Sequence, residues 1–169
     1  MTDPESVLVV LTDTNILINF LHLDRLDLLG RIPGYHFQVP DHVVEEIHDR
    51  QQRERLEAGL QSGFITVLSI TDLEEIESYA QFHRSLGQGE AACLAVAVRR
   101  GYCVASDDRR LFRKAVVKGI GKERILTTKD LIVLAIRAGL ATVEDADEWK
   151  LTLETRRFKM RFTSFREVL

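Results

Sequence analysis

Five acidic residues stand where carboxylates from distant parts of the chain could work together. Asp13 follows the short apolar run Val7–Leu11, and Asp107 and Asp108 follow a second run, Tyr102–Ala105. Glu90 opens the apolar stretch Ala91–Val98, and Glu46 lies a helical turn or more beyond a third run around Phe37–Val39. Two carboxylates about 5 Å apart repel by roughly 3 kcal/mol at an effective dielectric near 20. Several together either take up protons or recruit a divalent cation. Mg²⁺ and Mn²⁺ prefer oxygen ligands, and Mg²⁺ keeps waters that a substrate phosphate can replace. An ion so held acidifies water and stabilises a departing oxygen, which is the chemistry of phosphodiester hydrolysis.

Each acid alone also has a plainer explanation. Asp13 is placed to cap a helix, Glu90 to complement a helix dipole, and Asp107 or Asp108 to end a strand and cap the next helix. Of Glu45 and Glu46, at least one reads as a solvated surface charge. The argument for chemistry lies in their joint placement, so the elements that carry them matter.

Val7–Leu11 is rich in β-branched residues, as a strand buried on both faces requires. Thr12-Asp13-Thr14-Asn15 then caps a helix over Ile16–Leu29. Pro33-Gly34 marks a turn before the strand around Phe37–Val39, and Asp41 is placed to cap a helix carrying Val43, Val44 and Ile47. The charged stretch Gln51–Leu60 predicts an exposed helix closed by Gly63, with a third strand in Phe64–Ser69. Thr71-Asp72-Leu73-Glu74 has capping-box form and starts a helix to about Arg84. After Gly87-Gln88-Gly89, an apolar helix runs from Glu90 to near Gly101. Tyr102–Ala105 is the fourth strand, Arg110–Lys118 a basic helix, Arg124–Leu126 a fifth strand and Thr128–Ala138 a further helix. Short strands alternating with helices predict a three-layer α/β/α fold with a parallel sheet of four to five strands. Right-handed crossovers put the strand C-termini, and hence the acids, on one edge.

At 169 residues and 45% hydrophobic composition, the chain is long enough for one packed core. We divide it into a domain over 1–140 and a helical, basic extension over 141–169, either packed on that domain or mobile. The net charge of −3 argues against a protein that coats nucleic acid by bulk charge, yet permits a local basic face. Cys93 and Cys103, the only two cysteines, fall in apolar runs and read as small core residues rather than a disulfide or thiolate site. The five histidines, His22, His36, His42, His48 and His83, show no ligand spacing and receive no role. The polar, acidic Met1–Ser6 lacks the basic start of a signal peptide, and no apolar stretch approaches the ~18 residues of a membrane span. These features predict a cytoplasmic protein with no membrane partner.

The ordered motifs resemble those of the PIN-domain family, which includes VapC-type toxins and other ribonucleases. The strand followed by Asp13-Thr14-Asn15-Ile16-Leu17 is similar to that family's opening motif. Val39-Pro40 with Val43-Val44-Glu45-Glu46-Ile47 resembles its second, and fits Glu46 better than Glu45. Gly89-Glu90-Ala91-Ala92 resembles the third, with Glu90 where many relatives carry aspartate. Val104-Ala105-Ser106-Asp107-Asp108 resembles the fourth. The resemblance covers most of Val7–Thr128 and implies a PIN-like fold, catalytic acids at Asp13, Glu46, Glu90, Asp108 and Asp107, and Mg²⁺ or Mn²⁺ held by Asp13, Glu90 and Asp108 or Asp107. Spacing favours Asp108 as the ligand, with Asp107 ligating or orienting water. Asn15 and Ser106 fit supporting roles, holding carboxylates or water by hydrogen bonds. The resemblance further implies an RNA substrate, homodimers and, among toxin members, an inhibitory antitoxin. The C-terminal ~30 residues match no motif of the family.

An acidic pocket repels phosphate unless cations compensate. Arg109, Arg110, Arg113 and Lys114 come after the fourth motif and are candidates to position RNA, unless they form an ordinary solvated helix face. Arg156, Arg157, Lys159, Arg161 and Arg166, interleaved with Phe158, Phe162 and Phe165, form a second basic segment whose aromatics either stack bases or pack on the domain. Two other functions compete with a metal-dependent ribonuclease. A haloacid-dehalogenase-like phosphatase needs a second Asp two residues after Asp13, where Asn15 stands. A catalytically silent PIN scaffold that binds RNA or protein has no reason to tolerate the mutual repulsion of the acids.

Overall fold

The computed structural model describes residues 6–169, so the acidic start of the chain read against a signal peptide lies, apart from Ser6, outside the described residues. Five strands form one parallel sheet: β1 (Leu8–Thr12), β2 (Tyr35–Pro40), β3 (Thr66–Leu68), β4 (Cys103–Ala105) and β5 (Ile125–Leu126). Their order across the sheet is β3-β2-β1-β4-β5. The central strand β1 places Val10 opposite Phe37 of β2 and Cys103 of β4. Val10, Leu11, Val39 and Val104 are fully buried, as expected of strands covered on both faces.

From β1 the chain steps outward to β2 and β3 through α1 (Thr14–His22), α2 (Asp27–Arg31), α3 (Asp41–Glu45) and α4 (Arg50–Gln61). It then crosses back through α5 (Leu73–Phe82) and α6 (Gln88–Arg100) to β4, and through α7 (Arg109–Val117) to β5. Because parallel crossovers are right-handed, reversing direction across the sheet moves the connecting helices to the opposite face. The result is a three-layer α/β/α fold. The helix α6 lies against the sheet, its residues Ala91–Ala97 entirely buried. Arg100 at its end holds the buried Glu75 of α5 through two hydrogen bonds, of 2.6 and 3.0 Å.

One expected element breaks in two. The single helix over Ile16–Leu29 stops at His22, and the chain turns at Asp24 in a left-handed conformation (φ 53°) before α2 begins. Aspartate tolerates that conformation, and Arg25 stabilises the corner by bonding both oxygens of Asp27. Smaller differences occur at caps. Asp41 is the first residue of α3 rather than its cap, and Ile47 lies beyond it. In α5 the capping oxygen comes from Asp72, which accepts from Glu74 and Glu75 N–H, rather than from Thr71.

After β5, α8 (Thr128–Arg137) and α9 (Val143–Thr155) pack on one another. Asp147 of α9 accepts from Ser164 Oγ (2.7 Å) and Phe165 N (2.8 Å), folding the last residues back so that Phe165 is fully buried in the core. No helix among the described residues is long and apolar enough to cross a membrane.

Candidate active site

The strands β1 and β4 are neighbours, but the chain leaves them towards opposite faces of the sheet. A crevice opens at such a switch point, beyond the strand C-termini. Asp13 sits on one lip and Ser106-Asp107-Asp108 on the other, tied by an Asp13 N–H to Ala105 carbonyl bond of 3.1 Å. Glu90 reaches the crevice from the first turn of α6 and Glu46 from the residue closing α3.

Helix capping and clustering turn out to be compatible. Asp13 caps α1 through Oδ1, which accepts from Ile16 N at 2.9 Å. Its Oδ2 is buried without a hydrogen-bond partner. Burial pushes this carboxyl up to about 7; the nearby Ser106 hydroxyl and the Ile16 N–H moderate the rise, while Asp107 and Glu90 add repulsion. Glu90 caps in the reverse sense, its Oε2 reaching back from the first turn of α6 to accept from Gly87 N (3.1 Å). Its carboxyl is also raised, first by burial and then by the Asp108 charge beside it. Asp108 caps α7 through Arg110 N (2.6 Å) and Leu111 N (3.3 Å). Burial acts to raise Asp108, but the Arg110 guanidinium, 3.0 Å from Oδ2, and the capping N–H groups outweigh it and hold the carboxyl at about 2. Three helix N-termini therefore point their partial positive charge at one acidic centre.

Asp107 is fixed at both oxygens. Thr128 N donates to Oδ1 (3.0 Å) and Thr128 Oγ1 to Oδ2 (2.6 Å), while Asn19 Nδ2 donates to that same threonine hydroxyl (3.1 Å). Burial raises the Asp107 carboxyl, against the lowering effect of Thr128. Glu46 is likewise engaged on both sides, by Thr14 Oγ1 at 2.7 Å and Gly89 N at 2.6 Å, whereas Glu45 is exposed. The buried Cys93 thiol registers the arrangement: burial pushes it well above its ordinary value, and Asp13, Glu46 and Glu90 each push it further.

The acids line two adjoining recesses that share Asn15. A small one of about 70 Å³ holds Asp13, Glu46 and Glu90; a larger one of about 390 Å³ holds Asp107 and Asp108. Asn15 is exposed between them, and buried Ser106 accepts from Asp108 N at 3.1 Å. Among the described residues, no three acid, histidine or cysteine side chains stand close enough to enclose an ion by themselves. The basic candidates divide. Arg110 stands on Asp108 and Arg109 lines a recess beside Asp107, whereas Arg113 and Lys114 line a separate hollow with Phe82.

Several residues here lie beyond what the sequence marks out. Thr14, Thr128 and Asn19 orient acids, and His22 lines the larger recess with Arg156. Thr14 lies inside the opening motif, which is a signal that could have found it. Thr128 and Asn19 are 109 positions apart, and nothing local marks them as partners.

Among solved structures, the chain is similar to a PilT N-terminus domain protein from the archaeon Sulfolobus solfataricus P2, with 14% identity, a TM-score of 0.47, and 74% of this chain and 91% of that one covered. It is also similar to VapBC2 from Rickettsia felis bound to a DNA fragment from their promoter, with 11% identity, a TM-score of 0.48, and 70% and 96% covered. No curated protein matches it. The model of a family described as DUF3368, PIN domain, matches residues 9–164, from the first strand through the segment folded back on α9, and the chain belongs to that family.

Proposed function

We propose that this protein is an endoribonuclease that cuts phosphodiester bonds with Mg²⁺ or Mn²⁺ in the acidic crevice. The observation that carries the reading is Asp13 Oδ2: a buried carboxylate oxygen with no partner, on a group pushed up to about 7, beside Glu90. Such an atom must find a proton or a cation near neutral pH. A centre with few carboxylates suits Mg²⁺ or Mn²⁺, because the remaining positions go to water and substrate phosphate. The residues that would hold the ion, directly or through bound water because the three do not enclose it by themselves, are Asp13, Glu90 and Asp108. When bound, the ion supplies acidified water and stabilises charge on the leaving oxygen.

The chain's own groups do the rest. Asp107, anchored by Thr128, and exposed Asn15 orient water at the mouth of the two recesses. Glu46 fixes α6 against α1 through Gly89 and Thr14, and so sets the spacing of Glu90 from Asp13. Arg109 and Arg110 offset the acids for an incoming phosphate. Helix dipoles lower the cost of gathering the charges.

The Arg110–Asp108 pair favours a second reading, a silent scaffold in which arginine permanently occupies one acid. One assay separates the two. Purified protein is incubated with labelled single-stranded RNA and Mn²⁺, alongside Asp13→Asn. Mn²⁺-dependent cleavage that falls at least about 100-fold in the variant supports the nuclease. No cleavage across varied RNAs, or equal cleavage by the variant, overturns it.

A further inference from the structure

We propose that the segment from Arg156 to Phe162 is a binding strip for a single-stranded polynucleotide, with one base stacked on Phe158 as the strand passes the acidic crevice. The proposal deepens the nuclease reading, taking from it only the polymer that must lie across the acids.

The strip begins where α9 ends. Arg156 closes the helix, and Arg157 takes a left-handed conformation (φ 67°) that is costly for arginine, which lacks the short polar side chain that eases it for Asp24. Both ends of the turn are held. Phe158 N donates to Leu153 carbonyl (3.0 Å), and Asp147 grips Ser164 and Phe165. The corner therefore has a fixed shape, one that puts Phe158 between two recesses.

On one side is the recess of about 390 Å³ with Asp107, Asp108, Arg156 and Arg157; on the other is one of about 400 Å³ with Asp107, Lys129, Lys159 and Arg161. Phe158 and Asp107 line both. Each volume falls within the range of small-ligand pockets (~300–1,000 Å³), room for a nucleotide either side of the ring. Arg156, Arg157, Lys159 and Arg161 form no ion pair among the described residues, so their charges are available to phosphates. Lys129 pairs with Asp130 at 3.6 Å.

The three aromatic rings that follow α9 divide the work. Phe165 is a core residue, and Phe162 packs edge-on against it at 5.0 Å. Phe158 is half-buried and packs on no other aromatic ring among the described residues. A cationic track with an aromatic platform at its centre is the arrangement that binds single strands, whose bases are free to stack; a duplex keeps its bases paired and inaccessible.

The test uses the full chain carrying Asp13→Asn, so that RNA is bound but not cut, with a fluorescent 12-nucleotide RNA read by anisotropy at several salt concentrations. Phe158→Leu should weaken single-strand binding about tenfold or more, and Phe158→Tyr should retain it, because only the latter keeps a stacking face. Arg156→Ala with Arg157→Ala should weaken binding and reduce the salt dependence by about 0.7 per lost phosphate contact on a log–log plot. Thermal unfolding identifies variants that merely fail to fold, and Phe158→Tyr carries the comparison if Phe158→Leu does. Unchanged affinity in the folded Phe158→Leu protein, affinity lost equally in Phe158→Tyr, or equal effects on duplex RNA would each overturn the strip. Cleavage that needs Asp13 alongside an indifferent Phe158 removes the strip and leaves the nuclease; the expected binding pattern without cleavage removes the nuclease and leaves the strip.

Discussion

At the scale of the residue, Asp13 does two jobs that compete. Oδ1 stabilises α1 by accepting from Ile16, while the ionised group as a whole is costly because it is fully buried near other acids. Its carboxyl rises from 3.8 to about 7, so between those values the folded protein binds a proton that the unfolded chain does not. By linkage, stability then falls as pH rises through that window and levels off above it. The full cost of ionising Asp13 is roughly 4 kcal/mol, since each pKa unit is worth about 1.4 kcal/mol. Asparagine keeps the cap, being as good at that position as aspartate. Urea melts in EDTA at pH 5 and pH 8 should therefore show wild type losing stability relative to Asp13→Asn as pH rises. Mn²⁺ should restore much of that loss to wild type alone, because a ligand that binds only the folded state stabilises it. A difference between the two proteins that does not change with pH would mean that this carboxylate is not buried as a charge in the folded state.

At the scale of the element, the crevice depends on how closely α6 approaches α1 and α3. Gly89 makes the approach feasible: a methyl group there would lie 2.5 Å from Thr14 Oγ1, 2.8 Å from Val43 Cγ2 and 3.3 Å from Glu46 Oε1. Its N–H also donates to Glu46. Gly89→Ala would ordinarily favour a helix by up to about 1 kcal/mol. Here overpacking should prevail and cost about 1–3 kcal/mol in chemical denaturation, with cleavage falling further than stability because Glu90 shifts relative to Asp13. A stabilised Gly89→Ala protein would show that the α6 N-terminus has room to spare.

At the scale of the whole molecule, the residues after α8 share the core with the sheet. Phe165, near the C-terminus, is fully buried in the same cluster as Val10 and Leu131, and Arg25 stacks over Trp149 of α9 at 5.0 Å. Removing a buried phenyl ring costs about 3–5 kcal/mol. Phe165→Ala should thus shift the single urea transition of the entire chain, measured by far-ultraviolet circular dichroism. If the main transition stayed in place while a minor early phase appeared, the C-terminal segment would be a separately folding appendage.

What the sequence determined on its own was local and periodic. Runs such as Val7–Leu11 and Tyr102–Ala105 exceed what an exposed strand would carry, so a parallel buried sheet and its alternating helices could be read directly. The acids were legible because each follows an apolar run or opens a helix, positions that the order of strands and helices brings to one edge. Tertiary structure decided the remainder, because it joins residues without sequence proximity. The second motif already favours Glu46 over Glu45, but only the folded chain shows what holds Glu46, the Gly89 N–H and the Thr14 hydroxyl, while Glu45 is exposed. Only there does Asp107 meet Thr128, Asp108 take Arg110 as counter-ion, and Arg156 arrive beside acids from the other end of the chain. The helix expected over Ile16–Leu29 failed for the same reason: its apolar pattern continues without interruption, but Leu28 and Leu29 reach the core only if the chain turns at Asp24. Hydrophobic periodicity reports how a segment meets the core on average. Hydrogen bonds, ion pairs and corners are set by which particular atoms face each other once packing is complete.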